Sequence, residues 1–349
     1  MKHIKLKGTP IEIGKAHGEE FRKDIKELYE IRRHLLDGFW KSLDRPQQEA
    51  FLNRQLTALE RCTNLYEEFV ALAQASSLTP QELMIVNNYT DMRDYSSTNA
   101  QEEGCSVFYV KNSKGTFTGQ TWDMHASATP YVLHLEVERP NGLKLNIVTV
   151  TGCLALAGVS SKGQVSLINN MHCLESNPDG LMWPAAVRLM LEEDNCLSAK
   201  DTLEKNLPSS GHNYLISDIN SGLNIETTGK RLEVTKSVQD KGYVFHTNHY
   251  VGSLKDAENL ERQSKTTKAR YKTLEELFSG DKWNSWSFEE LNSKILLEEP
   301  SKTLCIPENP SSPHAASTCG GILVDLSSQR AEIFKGLYSE NEKNCFDLA

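Results

Sequence analysis

The residue pair best placed to do chemistry is Gly104-Cys105, in the run Glu102-Glu103-Gly104-Cys105-Ser106-Val107-Phe108-Tyr109-Val110. Upstream, apolar residues recur at helical spacing; from the cysteine onward they alternate as in a strand. A thiolate at a strand end is a nucleophile, whereas a free cysteine otherwise packs as a small apolar residue. With an unperturbed pKa of about 8.5 the thiol is only partly ionised at neutral pH, so it needs a base. One source is histidine: His125, His172, His212, His246 and His249 all follow, and spacing alone puts none of them at the thiol. The other is the cysteine's own α-amine, with a pKa of about 7.7–8.0, which exists only if the 104–105 bond is cut. Gly104 suits such a cut, because it has no side chain to block the thiol from its carbonyl and tolerates strained backbone.

The elements around this pair divide the chain. Phe21, Ile25, Leu28, Ile31, Leu35 and Phe39 predict a helix over 19–40, and Phe51, Leu56, Leu59, Leu65, Phe69 and Leu72 a second over 47–76. Thr79-Pro80-Gln81-Glu82 is a capped start for a third, running to Arg93. Gly14 and Gly18, four apart, read either as a smooth helix face for close packing or as a turn before a helix start. Residues 94–103 are polar and aperiodic, an exposed linker. Strands follow at 105–110, 116–122, 131–138, 143–150, 153–159 and 164–170, with Asn141-Gly142 the clearest hairpin signal. Helices at 184–194 and 198–206 precede strands at 212–218, 222–228, 231–235 and 243–246. Helices at 256–279 and 287–295 and strands at 318–326 and 330–335 complete the chain. This order predicts an α+β fold with sheets packed between helices.

Composition narrows the function. In 349 residues the net charge is −9, with 38% hydrophobic and 24% charged residues. That balance excludes a general nucleic-acid binder and a polybasic membrane-surface protein. No run approaches the roughly 20 apolar residues of a membrane helix, and the basic start, Met1 to Gly8, lacks the apolar core of a signal peptide. The eight cysteines (62, 105, 153, 173, 196, 305, 319, 345) show no paired spacing, which points to reduced thiols in the cytoplasm and gives no zinc pattern. His246-x-x-His249 lacks a third ligand at a recognisable spacing, so no metal is expected.

Gly104-Cys105 with its alternating run, Gly119-Gln120-Thr121-Trp122-Asp123 and Thr247-Asn248-His249 resemble the acyl-CoA:6-aminopenicillanic acid (isopenicillin N) acyltransferase family. Its members are autoproteolytic amide-bond enzymes of the N-terminal nucleophile (Ntn) hydrolase class. The opening, Gly8-Thr9-Pro10-Ile11-Glu12-Ile13-Gly14 to Gly18, is similar too. Gly158-Val159-Ser160-Ser161-Lys162-Gly163 to Asn170 is similar to a stretch shared with bile-salt and penicillin V amidases. The correspondence runs in order over nearly the whole chain. It implies a four-layer αββα sandwich, one domain over 1–349 made as a precursor. Self-cleavage at Gly104-Cys105 leaves a helical fragment, 1–104, as partner of a β-rich fragment, 105–349.

By the same resemblance Cys105 carries the acyl group as a thioester, Asp123 holds the new α-amine, and Asn248 donates to the oxyanion. Asn170 is a second candidate for that oxyanion hole, with Asn169 beside it leaving the alignment open. His125, two residues past Asp123, falls in a region that shapes the substrate pocket and makes it more polar than an aromatic wall. Thr318 belongs to a stretch whose hydroxyls reach the site. The expected activity is amidohydrolase or acyltransferase on a small N-acyl or aminoacyl amide or thioester, without cofactor; coenzyme A enters only as part of a substrate. Three alternatives stay open: an uncut cysteine hydrolase with a histidine base, an acyl-CoA-dependent N-acyltransferase, and a non-enzymatic binding protein on the same scaffold. Oligomeric state is not legible.

Overall fold

Alternation of Ile4 and Leu6 makes the first residues a strand, β1 (Lys2–Lys7), in a computed structural model that describes residues 1–95 and 104–348. Thr9 then caps α1 (Pro10–Glu20) with Pro10 at its first position and Glu12 closing a capping box. After a break at Phe21 come α2 (Arg22–Phe39), α3 (Arg45–Glu60), α4 (Thr63–Ala75) and α5 (Pro80–Asp94). The helix expected over 47–76 is therefore two. Cys62, at φ −106° and ψ 69°, breaks it and turns α4 onto α1. The contact depends on the two glycines. A Cβ on Gly14 would stand 2.1 Å from the Glu68 carbonyl oxygen, and one on Gly18 2.7 Å from that of Leu72. Residues 96–103, most of the expected linker, lie outside the described residues.

The next strands are β2 (Gly104–Lys111), β3 (Thr116–His125), β4 (Val132–Glu138), β5 (Lys144–Val150), β6 (Ala157–Ser160) and β7 (Val165–Met171). Gly142, at φ +83°, makes the turn of the β4–β5 hairpin, as its Asn-Gly signal predicts. Helices α6 (Trp183–Leu191) and α7 (Cys196–Lys205) lead to β8 (Gly211–Ser217), β9 (Gly222–Thr227), β10 (Leu232–Val238) and β11 (Gly242–His246). The helix expected over 256–279 is shorter: two 3-10 turns precede α8 (Thr267–Leu277). Then follow α9 (Phe288–Leu296), β12 (Ala316–Asp325), β13 (Arg330–Lys335) and β14 (Lys343–Asp347). The sequence reading missed β1 and β14; both are edge strands, half exposed, with short apolar patterns.

One sheet runs β1-β4-β5-β6-β7-β8-β9-β10, the other β11-β2-β3-β12-β13-β14. They pack face to face, with α1–α7 against the first and α8 and α9 against the second. This is the four-layer αββα sandwich of the α+β class that the resemblance implies. Strand alternation sorts β2 between two cores: Cys105, Val107 and Tyr109 face the inter-sheet core, and Phe108 and Val110 face the helical layer with Leu274, Phe278 and Leu291. One side-chain clamp joins the sheets beside the cysteine. Gln120 Nε2 donates to the Ile168 carbonyl at 2.8 Å, and Ile168 N donates back to Gln120 Oε1 at 2.9 Å.

Candidate active site

Cys105 sits one residue into β2, opposite Trp122, with Gly104 opposite Asp123. The alternation that turns the thiol toward the inter-sheet core turns Gly104 and Ser106 toward α8. There Arg270, fully buried, spans the site. Its Nη1 donates to the Cys105 carbonyl at 2.7 Å and its Nη2 to Asn248 Oδ1 at 2.8 Å. A Cβ on Gly104 would lie 2.7 Å from Arg270 Nη2 and 3.0 Å from Asp123 Oδ2. Only glycine fits between them.

Asp123 is 1% exposed. Its Oδ1 accepts the Thr318 hydroxyl at 2.6 Å, while its Oδ2 has no partner. Burial pushes its carboxyl up to about 6; the Arg270 charge and the Thr318 hydroxyl pull the other way. Thr318 is brought there by a register shift in β12 between Thr318 and Gly320. Gly321 lies flat on β3, since a Cβ would meet the Gln120 carbonyl at 2.1 Å. The Gly320-Gly321 pair thus joins a bulge to a close backbone contact.

Asn248 follows β11 in a turn that is held from both sides. Glu226, fully buried, accepts from His246 Nε2, Val251 N and Gly252 N. On the other side Asn248 N donates to Thr267 Oγ1 at 2.7 Å, at the start of α8. The side chain bridges the sheets: Oδ1 accepts the Cys105 N–H at 2.8 Å, and Nδ2 donates to the Asn170 carbonyl at 2.8 Å. Asn169, not Asn170, touches the Cys105 backbone, its Nδ2 donating to the Cys105 carbonyl at 2.9 Å. Asn170 lies on the opposite face of β7 and lines the pocket.

That pocket encloses about 500 Å³ not filled by protein atoms, open solvent at its mouth included. Gly104, Cys105, Asp123, Asn170 and Asn248 line it together, with Trp122, Met124, Leu156, Ile168 and Trp183 as the apolar wall and His172 and His212 as its imidazoles. Thr318 reaches the site only through Asp123. His125 does not line this pocket. Met124 takes the pocket side of β3, and the buried His125 ring packs edge-on against Tyr89 with Nδ1 on Ser127 Oγ. His249 turns to Thr267.

Comparison with known proteins gives this geometry a family. Residues 110–305 match the acyl-coenzyme A:6-aminopenicillanic acid acyl-transferase family. The chain belongs to that family. A curated relative, the 40 kDa form of acyl-coenzyme A:6-aminopenicillanic-acid-acyltransferase of Emericella nidulans, is 24% identical over 254 residues, covering 71% of this chain and 69% of the relative. Among solved structures, a mutant of the conjugated bile acid hydrolase from Clostridium perfringens aligns with a TM-score of 0.48 at 12% identity, over 70% of this chain and 92% of that one. Penicillin V acylase from Agrobacterium tumefaciens aligns with a TM-score of 0.39 at 13% identity, over 66% and 83%. Family membership places the chain among acyl-transfer enzymes.

Within the family frame, Arg270 is the site residue that sequence reasoning missed. It stands in Lys265-Thr266-Thr267-Lys268-Ala269-Arg270-Tyr271-Lys272, one cation among several on an amphipathic helix, and nothing local marks it as the one turned inward. Burial lowers its pKa, while Asp123 and Cys105 favour its charge. No helix among the described residues is long and apolar enough to cross a membrane.

Proposed function

We propose that the chain is an autoproteolytic Ntn enzyme that hydrolyses a small N-acyl or aminoacyl amide through a Cys105 thioester. One observation carries this reading: the Cys105 main-chain nitrogen is gripped by Asn248 Oδ1, while a buried carboxylate oxygen without a partner, Asp123 Oδ2, lies against Gly104, 3.0 Å from where a Cβ would stand. An amide N–H has one hydrogen and needs one acceptor; an α-ammonium has three and would use both.

In the first step Cys105 Sγ attacks the Gly104 carbonyl. The C–N bond breaks, the nitrogen takes the thiol proton, and a thioester forms. Water then cleaves it, giving a Gly104 carboxylate and free Cys105. Gly104 allows the approach, and the Arg270 guanidinium beside it offsets developing negative charge.

In turnover the α-amine takes the thiol proton and Sγ attacks the substrate carbonyl. A free hydrogen of Asn248 Nδ2 meets the oxyanion, a preorganised contact worth about 3–4 kcal/mol. The α-ammonium, held by Asp123, returns its proton to the leaving amine. Water completes hydrolysis of the acyl-enzyme; an amine in its place would complete transfer. Hydrolysis is favoured here because water needs no second acceptor pocket. Fragment 1–104 stays as partner of fragment 105–349, since helices α2 and α5 share one apolar core with both sheets.

Denaturing mass spectrometry of the purified protein tests the reading. Two fragments, the second beginning at Cys105, together with a thioester on Cys105 after exposure to acyl substrates, are expected. A fully active chain that remains one 349-residue polypeptide would overturn it. Of the two imidazoles in the pocket, His212 makes no hydrogen bond through Nδ1, to the thiol or otherwise, as the base of an uncut hydrolase would.

A further inference from the structure

The turn that carries Asn248 hangs from a residue pair whose protons can be counted. His246, the last residue of β11, and Glu226, near the end of β9, are both fully buried. β9 belongs to one sheet and β11 to the other, so the pair crosses between them. His246 Nε2 stands 2.8 Å from Glu226 Oε1, and its Nδ1 stands 2.7 Å from the Thr247 carbonyl oxygen. A carbonyl only accepts, so Nδ1 carries a hydrogen. The Nε2 contact needs a second hydrogen, on the ring or on the carboxyl. Glu226 decides where it sits. Its Oε1 also accepts the Val251 N–H at 2.7 Å, and its Oε2 accepts the Gly252 N–H at 3.1 Å. Donors converging on a carboxylate favour its charged form. The ring therefore keeps both hydrogens and a positive charge.

The charge stays on that ring. The His249 ring lies 6.3 Å away, and burial, then the neighbouring His246, hold its imidazole down to about 4. The contacts of the pair fall on both sides of Asn248: on Thr247 just before it, and on Val251 and Gly252 just after it. Between these anchors the Asn248 side chain reaches the Cys105 nitrogen and the Asn170 carbonyl. A neutral His246 has one hydrogen for two acceptors, so a bare ring nitrogen would face an oxygen and one anchor would open. An oxyanion donor displaced by about 1 Å loses on the order of 100-fold in rate.

We propose that His246, as an imidazolium, and Glu226, as its carboxylate, are positioning residues that aim the Asn248 amide at the oxyanion. The inference rests on the reading of Asn248 as the oxyanion donor.

The first test is nuclear magnetic resonance of wild-type protein with isotopically enriched histidine ring nitrogens. It is run at about pH 7.5, where an exposed imidazole has mostly lost one ring hydrogen. His246, assigned by correlating its ring with its own Cβ, should show a hydrogen on both nitrogens. In Glu226→Gln it should keep only the one on Nδ1. A bare ring nitrogen in the wild type would overturn the proposal, and this spectrum decides even if the variant fails to fold. Kinetics read the role. In matured Glu226→Gln, kcat per titrated Cys105 should fall about 10- to 100-fold with KM within about twofold. A lower yield of folded protein with unchanged kcat per site would overturn the positioning role and leave the pair structural. If wild-type protein with a doubly protonated His246 neither turns over nor labels Cys105 with any acyl substrate, the proposed reaction falls, and this role with it, while the charged pair stands.

Discussion

Arg270 Nη2 donates to Asn248 Oδ1 over 2.8 Å, and the same oxygen accepts the Cys105 N–H over 2.8 Å. Two residues from separate elements thus meet on one acceptor, and the Cys105 backbone is fixed between them. A lysine cannot serve the Cys105 carbonyl and Asn248 together, because its single ammonium lacks the planar fork. Arg270→Lys should slow the appearance of the two fragments by at least about tenfold and lower unfolding free energy by about 2–3 kcal/mol. Gel time courses and urea unfolding read these. Unchanged values in both would reduce Arg270 to a packing residue.

Gly104→Ala puts a methyl between Arg270 and Asp123, at 2.7 Å and 3.0 Å. The expected product is a folded chain that stays full-length for at least about ten times longer than wild type, because the guanidinium must retreat from the carbonyl it serves. Circular dichroism verifies the fold, and intact-mass measurement follows the cut. Cleavage at the normal rate would show that the tight fit around Gly104 has no part in it.

The uncut chain should carry an unusual pH signature. Asp123 has an ordinary value near 3.8, and burial raises it to about 6 in the fold. The native state therefore binds the extra proton between these values. Its contribution to stability is full below about 3.8 and is lost as pH rises through about 6, on the order of 2–3 kcal/mol in all. Cys105→Ala, which cannot cut itself, should lose stability across pH 4–7 relative to Cys105→Ala/Asp123→Asn. A pH-independent difference between the two would mean that Asp123 is ionised throughout.

Asn248→Ala removes both the grip on the Cys105 nitrogen and the proposed oxyanion donor. In whatever fraction still matures, kcat should drop about 100- to 1,000-fold with KM little changed, the mark of an interaction made in the transition state. A rise in KM alone would assign Asn248 to substrate binding.

The layered architecture and the Gly104-Cys105 junction were legible because both are local signals: a switch from helical to alternating period, a capped helix at Thr79, an Asn-Gly turn. Asp123 and Asn248 were reached through motif resemblance; the structure sets Asp123 opposite Gly104 and bonds Asn248 to the Cys105 nitrogen. His125 was drawn to the pocket by its nearness to Asp123, but strand alternation gives that side of β3 to Met124. Arg270 was invisible, and Asn169 entered only as the neighbour of Asn170, for a common reason. Each touches the cysteine across a sequence separation, 165 and 64 residues, that no periodicity encodes. The break at Cys62 was hidden because apolar residues keep helical spacing on both sides of it.

Thr90 on α5 and Trp183 on α6 are joined by a 2.9 Å hydrogen bond in the wall of the pocket. If the backbone is severed between them, the two pieces remain interlocked like halves of a single casting. Specific activity should then be indifferent to dilution, and the carboxy-terminal piece produced alone should precipitate for want of its helical cover.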